Sequence, residues 1–359
     1  MRQAAGRWSS VNVYHTISSV NDRSTPSTPS PAAPPLLLED LDGFQVRLHP
    51  QGAAIAGIRV PTPGGAIETV LDYPSAALRD RDPAYLGVTV GRFANRLADA
   101  RLVLDGVTHS LEATPGQLGH ALHGGANGFS HRTWSSEAAE NGRSVMFRLR
   151  SPAGDQGFPG ALEATVDYAL LEGWRLRIVF RAVSDAPTVV NLANHAYFNL
   201  NGDGSPATNH RLWINADRYT PVSENLIPTG EIVSVADSPF DLREPVVIAE
   251  RQRMDHPQLL LASGFDHNFV LNAVPDGMGL AAALHSPRSG LSMRLHTNQP
   301  GLQCYGGQHL SDPFAPGQGV CLEAQDFPDA PHHDNFPSTR LAPGAVYERV
   351  TIYEFRMMA

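Results

Sequence analysis

Proton transfer is the chemistry for which this sequence is best supplied. His195 lies in the run Asn191-Leu192-Ala193-Asn194-His195-Ala196-Tyr197-Phe198-Asn199-Leu200, with Asn194, Tyr197 and Asn199 close around it. An imidazole exchanges protons near neutral pH, and a phenol beside it offers a flat hydrogen-bonding surface. In a strand, His195 and Tyr197 point to one side and Asn194 and Phe198 to the other. The second candidate is Glu323, set between Leu322 and Ala324 in Cys321-Leu322-Glu323-Ala324-Gln325. If those flanks face a core, Glu323 faces a cleft. Taken singly, such a histidine is more often a core group held by amides, and such a glutamate is as readily an exposed strand carboxylate. Their neighbours in the chain shift that balance.

Four further segments carry polar groups beside glycines or aromatics. Gly91-Arg92-Phe93-Ala94-Asn95-Arg96 holds two guanidinium forks and an amide, suited to adjacent hydroxyls or a carboxylate, or else to a solvated loop with an arginine paired to Asp99. In His120-Ala121-Leu122-His123-Gly124-Gly125, the two glycines let backbone approach a ligand next to His123. Its His-x-x-His spacing lacks a third ligand nearby, and the metal reading that His332-His333-Asp334 also invites is set aside with it, so no metal site is expected. Asp266 precedes His267-Asn268-Phe269 and could accept from hydroxyls, or serve only as a turn carboxylate. Asn298-Gln299-Pro300-Gly301-Leu302-Gln303 adds amides. A nucleophile elbow and a Gly-rich phosphate loop are both missing. General acid–base chemistry on a hydroxyl-rich molecule remains.

The elements that must position these groups read as strands. Phe44 to His49, Ala53 to Val60, Ala66 to Leu71, Ser144 to Leu149, Leu162 to Leu170, Trp174 to Val183, Arg211 to Ala216, Asn268 to Leu271, Leu291 to Thr297 and Val346 to Phe355 are short β-like runs. Asp105-Gly106, between alternating runs, signals a tight hairpin. The 29 prolines and 32 glycines leave little room for long helices, and only residues 251–261 suggest one. The fold class is all-β, a large antiparallel β-sandwich. Residues 1–38, rich in Ser, Thr and Pro, read as a disordered tail, and residues 39–359 as a single domain.

The net charge of 27 − 36 = −9 argues against nucleic acid or an anionic membrane as partner. No apolar run approaches the length of a membrane span, and no signal peptide is evident, so a cytoplasmic location is expected. The two cysteines, Cys304 and Cys321, are expected to be reduced. A neutral small-molecule partner fits, with a monomer as the default state.

Six of these segments resemble the aldose 1-epimerase (galactose mutarotase) family in order and register. They are Gly91-Arg92-x-Ala94-Asn95-Arg96, Leu122-His123-Gly124-Gly125, Asn194-His195-x-Tyr197-Phe198-Asn199-Leu200, Asp266-His267-Asn268-Phe269, Gln299-Pro300-Gly301-x-Gln303 and Cys321-Leu322-Glu323-x-Gln325. The resemblance runs from about residue 40 to the C-terminus. It implies a galactose mutarotase-like sandwich, interconversion of the α and β anomers of a free aldose, and no cofactor or metal. It also implies His195 as general acid and Glu323 as general base, with Asn95, Arg96, His123, Tyr197, Asp266 and Gln303 contacting the monosaccharide. Two alternatives stand beside it. A hexose-6-phosphate 1-epimerase would need a cationic clamp, for which Arg92, Arg132 and Arg243 are available. A non-catalytic sugar-binding protein would not need a matched acid and base.

Overall fold

The structure, a computed structural model, describes residues 35–273 and 277–358. Its backbone is a nine-stranded antiparallel sheet. In spatial order the strands are Ser135–Ala138, Ser144–Ser151, Leu162–Leu171, Arg175–Ser184, Val346–Met357, Leu291–Thr297, Gly279–His285, Arg211–Ile214 and Val246–Val247. A six-stranded sheet runs Tyr197–Phe198, Val320–Gln325, Gly301–Tyr305, Asp266–Leu271, Ala216–Thr220 and Val233–Ser234.

One hydrophobic cluster joins the two. Phe198, Leu302, Leu322, Ala324 and Phe269 of the smaller sheet pack with Leu176, Ile178, Phe180, Leu295, Tyr353 and Phe355 of the larger. The Phe198 and Tyr353 rings meet at 5.0 Å. Burying side chains of this size stabilises by roughly 1.5–3 kcal/mol each. Because strand side chains alternate, the face of the smaller sheet turned away from this core carries Tyr197, Gln303, Tyr305 and Glu323.

Most of the expected strands are present, and Asp105 and Gly106, both at positive φ, join Arg101–Leu104 to Val107–Ser110 as a hairpin. Three expectations are corrected. Asn191 to Leu200 is not one strand but two short ones. Ala193–Asn194 pairs with Thr89–Val90, and Tyr197–Phe198 pairs with Val320 and Cys321. The Asn194 side chain causes the switch. It donates to Gly87 O at 2.7 Å and accepts from Ala196 N at 3.2 Å, turning the chain at His195.

The single helix over 251–261 is instead two, Ile248–Gln252 and Pro257–Ala262. Pro257 cannot lie inside a helix and opens the second one at its first turn. The tail boundary at 38 falls too late, since Leu36–Glu39 is an edge strand paired with Gln45–His49, and Leu38 is buried. The tail through residue 34 lies outside the described residues. Among the described residues no helix is long and apolar enough to cross a membrane.

Candidate active site

The free face of the smaller sheet forms the floor of a cavity of about 600 Å³. That size suits a small molecule. Asn95, Arg96, His123, His195, Tyr197, Asp266 and Glu323 all line it. Seven of the eight residues singled out from the sequence therefore converge. The eighth, Gln303, shares that sheet face but is buried without lining the cavity, and donates from Nε2 to Asp266 Oδ1 at 2.6 Å.

His195 and Glu323 are both buried in the cavity floor. His195 Nε2 lies 3.6 Å from Glu323 Oε1, with side-chain exposures of 7% and 2%. Leu322 and Ala324 are buried in the core, so the alternation inferred from the sequence places Glu323 in the cleft. Desolvation pushes the Glu323 carboxyl well above its ordinary value. Nearby Asp266 adds to that shift, and Arg96 opposes it. Burial also pushes His195 down to about 4. On its far side, His195 Nδ1 meets the Cys321 thiol at 3.5 Å. Both cysteines are free and buried.

His123 comes from the Leu122-His123-Gly124-Gly125 turn. Its Nδ1 accepts from Asn95 N at 3.1 Å, so in the neutral ring the proton sits on Nε2. Burial holds this ring well below the usual histidine pKa. His123, His195 and Glu323 offer atoms within 4.8 Å of one another, close enough to hold a cation. The fixed tautomer makes His123 a donor to a ligand oxygen rather than a lone-pair ligand for a metal. The turn itself tolerates no side chain after His123. Gly124 has φ +89, and a Cβ there would lie 2.0 Å from Gly91 O. Gly124→Ala is expected to cost about 2–4 kcal/mol, read as a lowered urea midpoint with an unchanged m-value.

Arg96 reaches Asp266 Oδ2 at 3.7 Å, which ties the Gly91–Arg96 segment to the floor. Arg92 does not face the cavity. It is buried and donates to Pro159 O, Gly160 O, Ser151 O, Ser151 Oγ and Pro152 O, so its role is to hold loops together. Asp99 meets His120 rather than an arginine, its backbone N–H donating to His120 Nδ1 at 2.9 Å. His332 and His333 both close on Asp329, away from the cavity.

Sequence reasoning missed two aromatic walls. Tyr85 sits 4.6 Å from the His123 ring and 6.0 Å from His195, at φ 57. Nothing in its neighbourhood signals that conformation. Tyr305 stands 6.0 Å from Tyr197. It follows Gln303 by two residues, so strand alternation could have found it.

A β-sandwich whose free sheet face carries a buried carboxylate–imidazole pair, ringed by donors and aromatics, is an acid–base enzyme for a small polyhydroxylated molecule. The sequence profile described as "Aldose 1-epimerase" matches residues 35–354. The chain is 40% identical to an aldose 1-epimerase of Escherichia coli K12 over 330 residues, 89% of this chain and 94% of that one. It is 37% identical to a galactose mutarotase of Bos taurus, covering 88% and 92%. Among solved structures, a galactose 1-epimerase from Lactobacillus acidophilus superposes with TM-score 0.80 at 28% identity, covering 90% and 94%. An aldose epimerase homologue from C. elegans reaches 0.84 at 28% identity, covering 90% and 99%. The chain belongs to the aldose 1-epimerase family. It is an isomerase acting on a sugar.

Proposed function

We propose that this enzyme interconverts the anomers of free galactose and glucose, with Glu323 as base and His195 as acid. The observation carrying the assignment is the 3.6 Å approach of two buried titratable groups on the cavity floor, which lets their single proton pass from Glu323, where burial favours it, to His195 when the sugar binds. The two oxygens that must exchange protons, O1 and the ring oxygen, hang on the same carbon, so a close acid and base can serve both. Glu323 takes the O1 proton as the C1–O1 double bond forms. The bond from C1 to the ring oxygen breaks, and His195 gives that oxygen its proton. The aldehyde turns about C1–C2, and reclosure on the other face runs both transfers backward. His123, Asn95, Arg96, Tyr197 and Asp266 hold hydroxyls remote from C1, and Gln303 steadies Asp266. Arg92, Arg132 and Arg243 are committed to protein groups and none lines the cavity; of the arginines that do, Arg96 faces Asp266 and Arg81 adds one further cation, which favours a free sugar over a sugar phosphate.

Polarimetry on freshly dissolved α-D-galactose and α-D-glucose tests the reading. Rotation should relax faster with enzyme than without. No acceleration on either sugar, nor on a wider aldose panel, would sink it, and acceleration confined to 6-phosphates would move it to the phosphorylated sugars.

The pH profile is a second expected outcome. The pair works with one proton between its two members. A second proton would leave a buried cation, and loss of the only one a buried anion. Burial opposes both, pushing His195 down to about 4 and Glu323 up. The one-proton state is therefore broad. The kcat should be flat from about pH 5 through neutral pH, fall at lower pH as the pair takes a second proton, and fall on the alkaline side as the pair loses the last. A half-maximum near 6.5, the ordinary histidine value, would contradict this.

A further inference from the structure

Glu323 shares its sheet face with a row of buried amides, of which the mechanism uses only Gln303. In the antiparallel register Glu323 pairs with Gln303, and Gln303 pairs with Asn268, so these three project from the same side. Gln325, two residues beyond Glu323 on its strand, projects there too. Asn268 and Gln325 are almost completely buried. Six atoms of this row have no hydrogen-bond partner among the described residues. They are Asn268 Oδ1 and Nδ2, Gln303 Oε1, Glu323 Oε2, and Gln325 Oε1 and Nε2.

Gly301 lies between the outer members of the row. It pairs directly with Gln325, and the Asn268 side chain leans over it, since a Cβ at Gly301 would stand 2.4 Å from Asn268 Oδ1. Its φ is not the left-handed one that glycine favours, so what the glycine supplies is room. Buried polar atoms are almost always paired, with protein or with internal water. A site with this many donors and acceptors meets the two to four partners that a buried water needs.

We propose that Asn268 and Gln325 are positioning residues for the reaction. Meeting over Gly301, they hold ordered water against Glu323 Oε2 and keep that carboxylate charged and correctly turned for proton transfer. The inference rests on Glu323 being the base. The alternative source of support is weak, because Arg96 already faces Asp266. The amide dipoles and their water are the remaining polar surroundings on that side.

The test is kcat and KM against pH, by polarimetry, for wild type, Gln325→Met, Asn268→Leu and Glu323→Gln. The two amide replacements keep volume and remove hydrogen bonding. Each is expected to lower the kcat plateau about tenfold with KM within about threefold, and to move the alkaline limb upward by about one pH unit, because a less solvated carboxylate clings to its proton. A purely structural role would not move that limb. Folded variants with wild-type kcat and limb would overturn the inference. If neither variant folds, an atomic-resolution structure of the wild-type protein decides. Ordered water joining Glu323 Oε2 to Asn268 or Gln325 supports it, and a dry contact overturns it. Full activity in Glu323→Gln would instead remove the base assignment itself, so the two failures are distinguishable.

Discussion

Glu323→Gln is expected to lower kcat for mutarotation by roughly 10²–10⁴-fold, about 3–5 kcal/mol of barrier, with little change in KM. Glutamine keeps the shape and can still contact a sugar, but it cannot accept the O1 proton. The same replacement should not weaken the fold. Glu323 is buried, Oε2 lacks a protein partner among the described residues, and burial opposes its charge. A neutral amide there removes a cost that function imposes, so the thermal midpoint should equal or exceed that of wild type. His195→Gln should fall by a similar factor. The double variant should fall little further, because acid and base act on one event and their effects are not additive. Polarimetry and a thermal melt on the same samples check both halves. Retained turnover in Glu323→Gln would remove the base assignment. Lost turnover with a lost fold would deny the trade between stability and chemistry.

Arg92→Met should do the reverse, costing stability first. The Arg92 guanidinium is buried, and it donates at 2.9 Å to Pro159 O and at 2.8 Å to Gly160 O while also reaching Ser151 and Pro152. It packs over the Phe158 ring at 5.6 Å. Desolvation pulls its pKa down to about 10, with Asp155 opposing that shift, so it stays charged at neutral pH. Methionine fills the space and leaves those carbonyls unpaired. The expected loss is about 3–5 kcal/mol, read from urea unfolding. At low temperature, where the variant remains folded, kcat should stay within a few-fold of wild type, because Arg92 touches no part of the cavity. Near-normal stability with a large rise in KM would place Arg92 among the sugar-binding groups instead.

The contrast between these two residues shows what the sequence could and could not reveal. Glu323 was legible because strand alternation is local. Apolar flanks at 322 and 324 dictate where 323 points once the segment is a strand. His195 and Tyr197 were legible for the same reason, although the strand expected around them is broken by the Asn194 side chain. Arg92 and Arg96 were not separable, since both are arginines in one glycine-bounded segment. Only tertiary contacts more than fifty residues away send Arg92 into the protein and leave Arg96 at the cavity. Gln303 carries the same lesson, because strand spacing gives its face but not the fact that Asp266 stands in front of it. Tyr85 was illegible because its place depends on a left-handed backbone that no local pattern announces. The motifs that carry the family resemblance contain Arg92, Arg96, Asp266 and Gln303 without encoding these contacts.

The position of Val346–Met357 has a consequence for how the molecule is made. This strand pairs with Arg175–Ser184 on one side and Leu291–Thr297 on the other, so it is the joint of the nine-stranded sheet. It is also the last strand in chain order among the described residues. On the ribosome, the two halves of the sheet emerge first and have no bridge between them until this segment clears the exit tunnel. Until then Leu176, Ile178, Phe180, Met293 and Leu295 lack the Tyr353 and Phe355 side chains that complete their cluster. Long-range strand pairing of this kind is slow and leaves unpaired edges prone to wrong partners. Synthesis therefore delivers both halves of the sheet before they can settle, and a nascent protein stalled before residue 346 would be a client for chaperones rather than a partly active enzyme.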